Sequence, residues 1–254
     1  MVRRDPARPI ITPEQIPPSR PDVEVIGAFN PGAVRVGSEI VLLIRVAERP
    51  LCPDPEWVAF PAVRPGARGV EVLRVRRDNP DLNLADPRFV FYRGQMYLTS
   101  IAHLRVARRP DGVHFQVDPE PTLLPEGPYE WYGLEDPRIT PLEGRYVIAY
   151  TSVSRVTVSL VETEDFRRFE RLGVIFPPSN KHVALFPERV GGRYVALHRP
   201  SDLTLGQPEM WLAFSPDLRH WGEHHHVLAV RPGRWDGVRL GASGVPFRTP
   251  AGGR

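Results

Sequence analysis

Two aspartates of the chain sit in the same tripeptide, Asp86-Pro87-Arg88 and Asp136-Pro137-Arg138, and the chain's single lysine stands in Asn180-Lys181-His182. A carboxylic acid can hand a proton to a departing oxygen, and guanidinium forks or an ammonium can grip an anion. Basic residues follow each such stretch at Arg45, Arg155, Arg199 and Arg239, and Asn30-Pro31-Gly32 opens an earlier stretch of the same kind. Carboxylates facing a ring of cations suit a sugar with an anionic co-substrate. Of the 33 basic residues only Lys181 is not arginine. That bias singles out Lys181, because a lysine retained among arginines supplies a compact point charge that arginine does not reproduce.

These residues recur because the elements that carry them recur. A glycine followed by an aromatic or β-branched run appears at Gly37, Gly94, Gly144 and Gly192, at steps of 57, 50 and 48 residues. A period near fifty indicates a repeat architecture, and each glycine marks a hairpin turn between two strands. The strand before each turn opens on Asn30-Pro31, Asp86-Pro87, Asp136-Pro137 or Phe186-Pro187. Further strand pairs, such as 156–161 and 169–176, bring the content to about four strands per repeat, as in a propeller blade. With 30 prolines, 21 glycines and almost no helical periodicity, the chain reads as all-β. In a propeller the first strand of each blade lines a central channel, so the repeat starts converge on one pocket.

Residues 1–25 read as an extended proline-rich arm whose Ile10, Ile11, Ile16, Val23 and Val25 pack on the body. Residues 26–254 read as the propeller, four repeats plus the start of a fifth at Leu240-Gly241-Ala242. An incomplete last blade leaves strand edges open. Either the arm folds into the gap, or a second subunit covers it in a homo-oligomer, or the pocket is left incomplete, and an open or subunit-completed ring with weak or absent activity is the expectation.

Composition excludes several classes. No apolar run approaches the roughly 20 residues of a membrane span, so a soluble protein without a membrane partner is expected. The formal net charge of +3 is scattered and not gathered in a block, which argues against nucleic acid. A single cysteine, Cys52, excludes an internal disulfide, and no secretory signal is visible, so a cytoplasmic location is the default. Neighbouring residues of a strand point to opposite faces, so His224-His225-His226 does not read as a metal site, and no metal is expected. Trp131 and Tyr132 suit a sugar-stacking role or a core role equally.

Phe29-Asn30-Pro31-Gly32-Ala33 with Leu42-Leu43-Ile44-Arg45-Val46, and Gly133-Leu134-Glu135-Asp136-Pro137-Arg138-Ile139-Thr140, resemble glycoside hydrolase family 130, the β-mannoside phosphorylases and β-mannosidases. So do Asn180 to Glu188, Leu197-His198-Arg199-Pro200-Ser201-Asp202 and Ser215 to Gly222, in the expected order. The resemblance runs from about Ile10 to Gly253. It implies a five-bladed β-propeller, incomplete in its last blade here, and an enzyme of glycosyltransferase type. The implied reaction is inverting phosphorolysis of β-linked mannosides to mannose 1-phosphate, with inorganic phosphate as co-substrate and no cofactor.

By the same resemblance Asp136 is the general acid, while Arg199 and Arg239, with Lys181 or His182, hold phosphate. Asn30, Arg45, Asp86, Arg138 and Asp202 are the implied substrate contacts, although for Asp86 by itself a structural role at the start of its strand is the preferred reading. Arg138, two residues from Asp136, would depress the acid's pKa if its charge pointed there, so its orientation matters. Two alternatives stay open. A hydrolase would need a second carboxylate as base, for which Glu135, Glu188 and Glu209 are available, and a non-catalytic sugar-binding propeller would need none.

Overall fold

A computed structural model describes residues 9–64, 66, 69–110, 114–154, 156–201, 206–249 and 252–253. Arg155 and Asp202 lie outside the described residues. The chain divides after Leu134 into two compact units. Among the described residues no helix is long and apolar enough to cross a membrane.

In the first unit a 3-10 turn at Pro13–Gln15 precedes β1 (Val23–Val36) and β2 (Glu39–Pro50). The hairpin of β3 (Trp57–Ala62) and β4 (Glu71–Arg76) follows, then a three-stranded sheet of β5 (Leu82–Asn83), β6 (Phe89–Tyr92) and β7 (Gln95–Leu98). After these, β8 (Ile101–Arg109) pairs antiparallel with β2 from Ile40↔Arg109 to Glu48↔Ile101, and β9 (Gln116–Val117) completes the order β1-β2-β8-β9.

The second unit holds two sheets in simple sequence order. The first is β10 (Leu134–Leu142), β11 (Arg145–Ser152), β12 (Thr157–Thr163) and β13 (Glu170–Phe176). The second is β14 (Asn180–Leu185), β15 (Tyr194–Pro200), β16 (Met210–Ser215) and β17 (Gly222–Leu228). The two-residue strands β18 (Arg248–Thr249) and β19 (Gly252–Gly253) pair with each other.

The four glycine turns of the repeat therefore do not mark four equivalent blades. Gly37, Gly144 and Gly192 each join the first two strands of a four-stranded sheet, whereas Gly94 joins β6 to β7 inside the stretch inserted between β2 and β8. The local chemistry is the same: Arg93-Gly94 and Glu143-Gly144 both have positive φ at both turn positions, as a two-residue hairpin of matching twist requires. What differs is the strand that pairs next, a long-range choice that a local repeat does not encode.

β2 is nearly continuously apolar because both of its faces are covered, with Val41 and Leu43 on one and Leu42, Ile44 and Val46 on the other. Ile11 and Ile16 of the arm pack on Leu42, Ile44 and Val46, while Val23 and Val25 already belong to β1. In the second unit Val147, Ala149, Val158, Leu160 and Phe176 pack with Val183, Leu185, Ala196 and Ala213, joining its two sheets. Each such fully buried large side chain contributes about 1.5–3 kcal/mol.

Polar anchors fix the arm as well. Arg105 is fully buried and its Nη1 donates to the Pro17 carbonyl at 2.6 Å, while Ser19 donates its backbone N–H at 2.6 Å and its hydroxyl to the buried Glu48 carboxylate. Removing Arg105 leaves the Pro17 and Pro119 carbonyls without their charged donor. We expect Arg105→Ala to lower the free energy of unfolding by about 1.5–3 kcal/mol, read by urea denaturation. A loss under about 1 kcal/mol would show that the arm docks without this anchor.

Candidate active site

The site residues of the second unit lie on β10, on the β14–β15 pair and on the segment from Arg239 to Ala242. The register of β14 with β15 slips between Lys181↔Arg199 and Ala184↔Leu197, so His182 and Val183 together face His198. This is a β-bulge, which kinks a strand and re-aims its side chains. At the bulge His182 has φ +55°, and Asp136 on β10 has φ +52°. In the first unit, considered alone, Asn30 has φ +47° at a matching slip between Phe29↔Arg45 and Gly32↔Leu43. Asn, Asp and His are the non-glycine residues that tolerate this left-handed backbone best. The repeat position thus favours these residue types for backbone reasons alone.

Around His182 the second unit gathers charge. Lys181 and Arg199 are cross-strand partners, a like-charge pairing that costs energy unless something offsets it. Lys181 Nζ lies 3.5 Å from Glu135 Oε2. Arg199, 7% exposed, donates from Nη1 to the Leu240 carbonyl at 3.4 Å, and Arg138 donates from Nη2 to the Ala242 carbonyl at 3.2 Å. Arg138 is therefore braced by backbone. Gly241, between those two carbonyls, passes so close that a Cβ on it would stand 3.2 Å from both Arg199 Nη1 and His182 Nδ1. Leu240 is held in turn by its N–H to the Pro208 carbonyl at 2.8 Å.

The electrostatics follow from this crowding. Burial pushes the Arg199 guanidinium below its usual range and the neighbouring charge of Arg239, which is exposed, adds to the effect. Arg138 is lowered by burial too, with the Asp136 charge opposing. His182 is pushed down to about 4, first by burial and then by Arg199, Arg138 and Lys181, against the Asp136 charge. Its imidazole is neutral at pH 7. Arg138, Lys181 and Arg199, together with the exposed Arg239, outnumber Glu135 and Asp136, and such a surplus of positive charge favours a bound anion.

The other candidates have different surroundings. Arg45 lies over the Phe29 ring at 4.7 Å. Asp86 is not on a strand: its carboxylate takes the Nε, Nη2 and backbone N–H of Arg88 at 2.7–3.0 Å, and Arg88 holds it down to about 2. Asp86 is the stabiliser of a surface turn in the inserted stretch, unlike Asp136, which stands within β10 with left-handed backbone.

Of the three carboxylates available as a base, Glu135 faces Lys181, Glu188 pairs with Arg248 at 2.8 Å, and Glu209 accepts from Val230 N–H at 3.0 Å and contacts His226 at 2.8 Å. His224 bonds His198, and His225 lies edge-on to Phe214. Trp131 and Tyr132 line a cavity of about 330 Å³ in the first unit. Sequence reading missed the carbonyl braces at Leu240 and Ala242, whose one signal was Gly241, and missed Asn180 and His198.

The sequence model of glycoside hydrolase family 130, described as beta-1,4-mannooligosaccharide phosphorylase, matches residues 74–253. The chain belongs to this family. Among curated relatives, a β-1,2-mannobiose phosphorylase of Listeria innocua is 41% identical over 250 residues, covering 96% of this chain and 70% of that protein. A 1,2-β-oligomannan phosphorylase of Thermoanaerobacter is 35% identical over 157 residues, covering 60% of this chain and 51% of that protein. The solved complex of the Listeria family member with β-1,2-mannobiose matches this fold with a TM-score of 0.86 over 98% of this chain and 72% of that chain.

The buried histidines set an acid limit on this family 130 chain. His182 and His198 are each lowered to about 4 and His103, buried beside Arg105, to about 3. The unfolded chain has ordinary histidines near 6.5 and binds protons first, so these groups favour the fold fully above about pH 6.5 and lose that contribution as pH falls toward 4. We expect the unfolding free energy to drop over this window and His198→Asn to flatten the slope by up to about 1.4 kcal/mol per pH unit. An unchanged slope would mean that His198 is not neutral in the fold.

Proposed function

We propose that the protein catalyses inverting phosphorolysis of β-linked mannosides. The observation that carries this reading is the surplus of positive charge around His182, beside Asp136, in a member of a family whose curated relatives are mannoside phosphorylases. A phosphate oxygen attacks the anomeric carbon, the glycosidic C–O bond breaks, and the leaving oxygen takes a proton from Asp136 directly or through a sugar hydroxyl. The products are α-mannose 1-phosphate and the shortened sugar or free mannose.

In this reading Lys181, Arg199 and Arg239 hold phosphate, with neutral His182 as a hydrogen-bond partner. An already ionised nucleophile needs no general base, which agrees with the engagement of Glu135, Glu188 and Glu209 by other groups. The Ala242 brace supports the assignment of Asp136 as acid, because it gives the Arg138 guanidinium a partner other than the acid's carboxyl group. Asn30, Arg45 and Arg138 are assigned to sugar contacts, and so is Asp202. The three four-stranded sheets support the five-bladed propeller as the architecture that goes with this function, and the reaction suits a cytoplasmic setting where phosphate is plentiful.

The test is incubation with β-1,2-mannobiose with and without inorganic phosphate. Mannose 1-phosphate formed only with phosphate is the expected result, and free mannose at the same rate in both overturns phosphorolysis in favour of hydrolysis. Asp136→Asn should keep sugar binding and lose about 10²–10⁴-fold in kcat on an unactivated mannoside. A near-wild-type rate would remove Asp136 from the role of acid. Lys181→Ala or Arg239→Ala should raise KM for phosphate about tenfold or more while changing KM for the mannoside little, and equal changes in the two would indicate a packing role.

A further inference from the structure

The bulge that presents His182 is faced by one residue, His198, and that residue is the middle of a continuous polar chain. Asn180, 6% exposed, accepts the Arg199 backbone N–H at its Oδ1 at 3.2 Å. With Oδ1 so used, its Nδ2 is the donor toward His198 Nδ1 at 3.0 Å. A neutral His198 accepting at Nδ1 carries its proton on Nε2 and donates it to His224 Nδ1, also at 3.0 Å. The His198 ring, 3% exposed, stacks on Phe176 at 4.5 Å with planes 10° apart, which leaves it one orientation. Burial, with His224 nearby, holds His198 neutral at about 4.

A bulge of this kind does not itself require a polar opposing residue. In the first unit the slip at Asn30 is faced by Ile44, a buried aliphatic side chain. The buried Asn180–His198 pair therefore needs a reason beyond strand pairing. It is costly to desolvate and acts by direction: each donor faces an acceptor in one sense only, from the backbone N–H of Arg199 outward to His224.

We infer that His198 is a positioning residue which, by fixing the amide of Asn180, locks the β14 bulge and so sets the placement of Lys181, His182 and Arg199 on their anion. The effect on phosphate rests on the function proposed above, whereas the lock on the bulge does not.

Two readouts separate them. Hydrogen exchange of the Arg199 amide, followed by NMR in wild type, His198→Leu and His198→Asn, reads the lock without turnover. His198→Leu should speed exchange at Arg199 about tenfold or more relative to the Leu197 amide, while His198→Asn, whose side-chain oxygen replaces Nδ1 as acceptor, should stay within about threefold of wild type. Steady-state kinetics should then show KM for phosphate raised about tenfold in His198→Leu, KM for β-1,2-mannobiose changed less than about twofold, and recovery in His198→Asn.

Unchanged exchange overturns the proposal, and so do faster exchange with an unchanged KM for phosphate, equal shifts in both KM values, or no rescue by asparagine. If His198→Leu does not fold, His198→Gln, whose amide sits one bond further out, takes its place under the same criteria. If the wild type shows no phosphate-dependent turnover, the proposed function fails on its own. Calorimetric affinity for inorganic phosphate then replaces KM, and equal affinity in wild type and variant overturns the effect on the anion, while the lock stands or falls on the exchange of the Arg199 amide.

Discussion

The burial of two guanidinium groups, Arg138 and Arg199, is the constraint that the candidate site of the second unit accommodates. A cation taken out of bulk water costs free energy, and that cost appears in the lowered pKa of both, with the charge of Arg239 adding to it for Arg199 and that of Asp136 opposing it for Arg138. The protein offsets it with partial charges as well as with acids. Two backbone carbonyls, of Leu240 and Ala242, take one guanidinium each, Lys181 lies beside the Glu135 carboxylate, and the Asp136 charge favours Arg138. Carbonyl dipoles orient a guanidinium without neutralising it. Net positive charge is left over, and in the proposed function it is what the incoming phosphate meets.

The same economy explains the backbone. Lys181 and Arg199 face each other across a ladder, and the residue next to Lys181 is turned by the bulge so that His182 meets the carbonyl-bearing segment at Gly241. Left-handed backbone recurs at Asp136 and His182, in the first strands of two sheets, at the cost of conformations that most residues disfavour. Glycine would adopt them more easily but would carry no side chain to the site. Aspartate and histidine meet both demands.

The first unit handles buried charge differently. Arg105 and Glu48 serve attachment: they take up the carbonyl of Pro17 and the Ser19 donors, and they hold the arm beside the apolar seat of Ile11 and Ile16. Here the buried charges tie a segment of chain down, whereas in the second unit the buried guanidinium groups are held by the Leu240 and Ala242 carbonyls.

Sequence by itself determined the strand content, the hairpin glycines and the residue types at the repeat starts, because turn conformation and the tolerance for left-handed backbone are local properties of a few residues. It also made Asp136, Lys181 and Arg199 stand out, since their motifs are contiguous. Only the tertiary structure decided that Gly94 belongs to an insertion, that Asp86 is taken by Arg88 while Asp136 stands on a strand with left-handed backbone, and that Leu240 and Ala242 brace the arginines. Each of these depends on which distant strand or segment comes alongside: β8 pairs with β2 across some fifty intervening residues, and Ala242 meets Arg138 across 104. Such pairings are selected by the summed burial and hydrogen bonding of the whole fold, and no single stretch of sequence carries that sum.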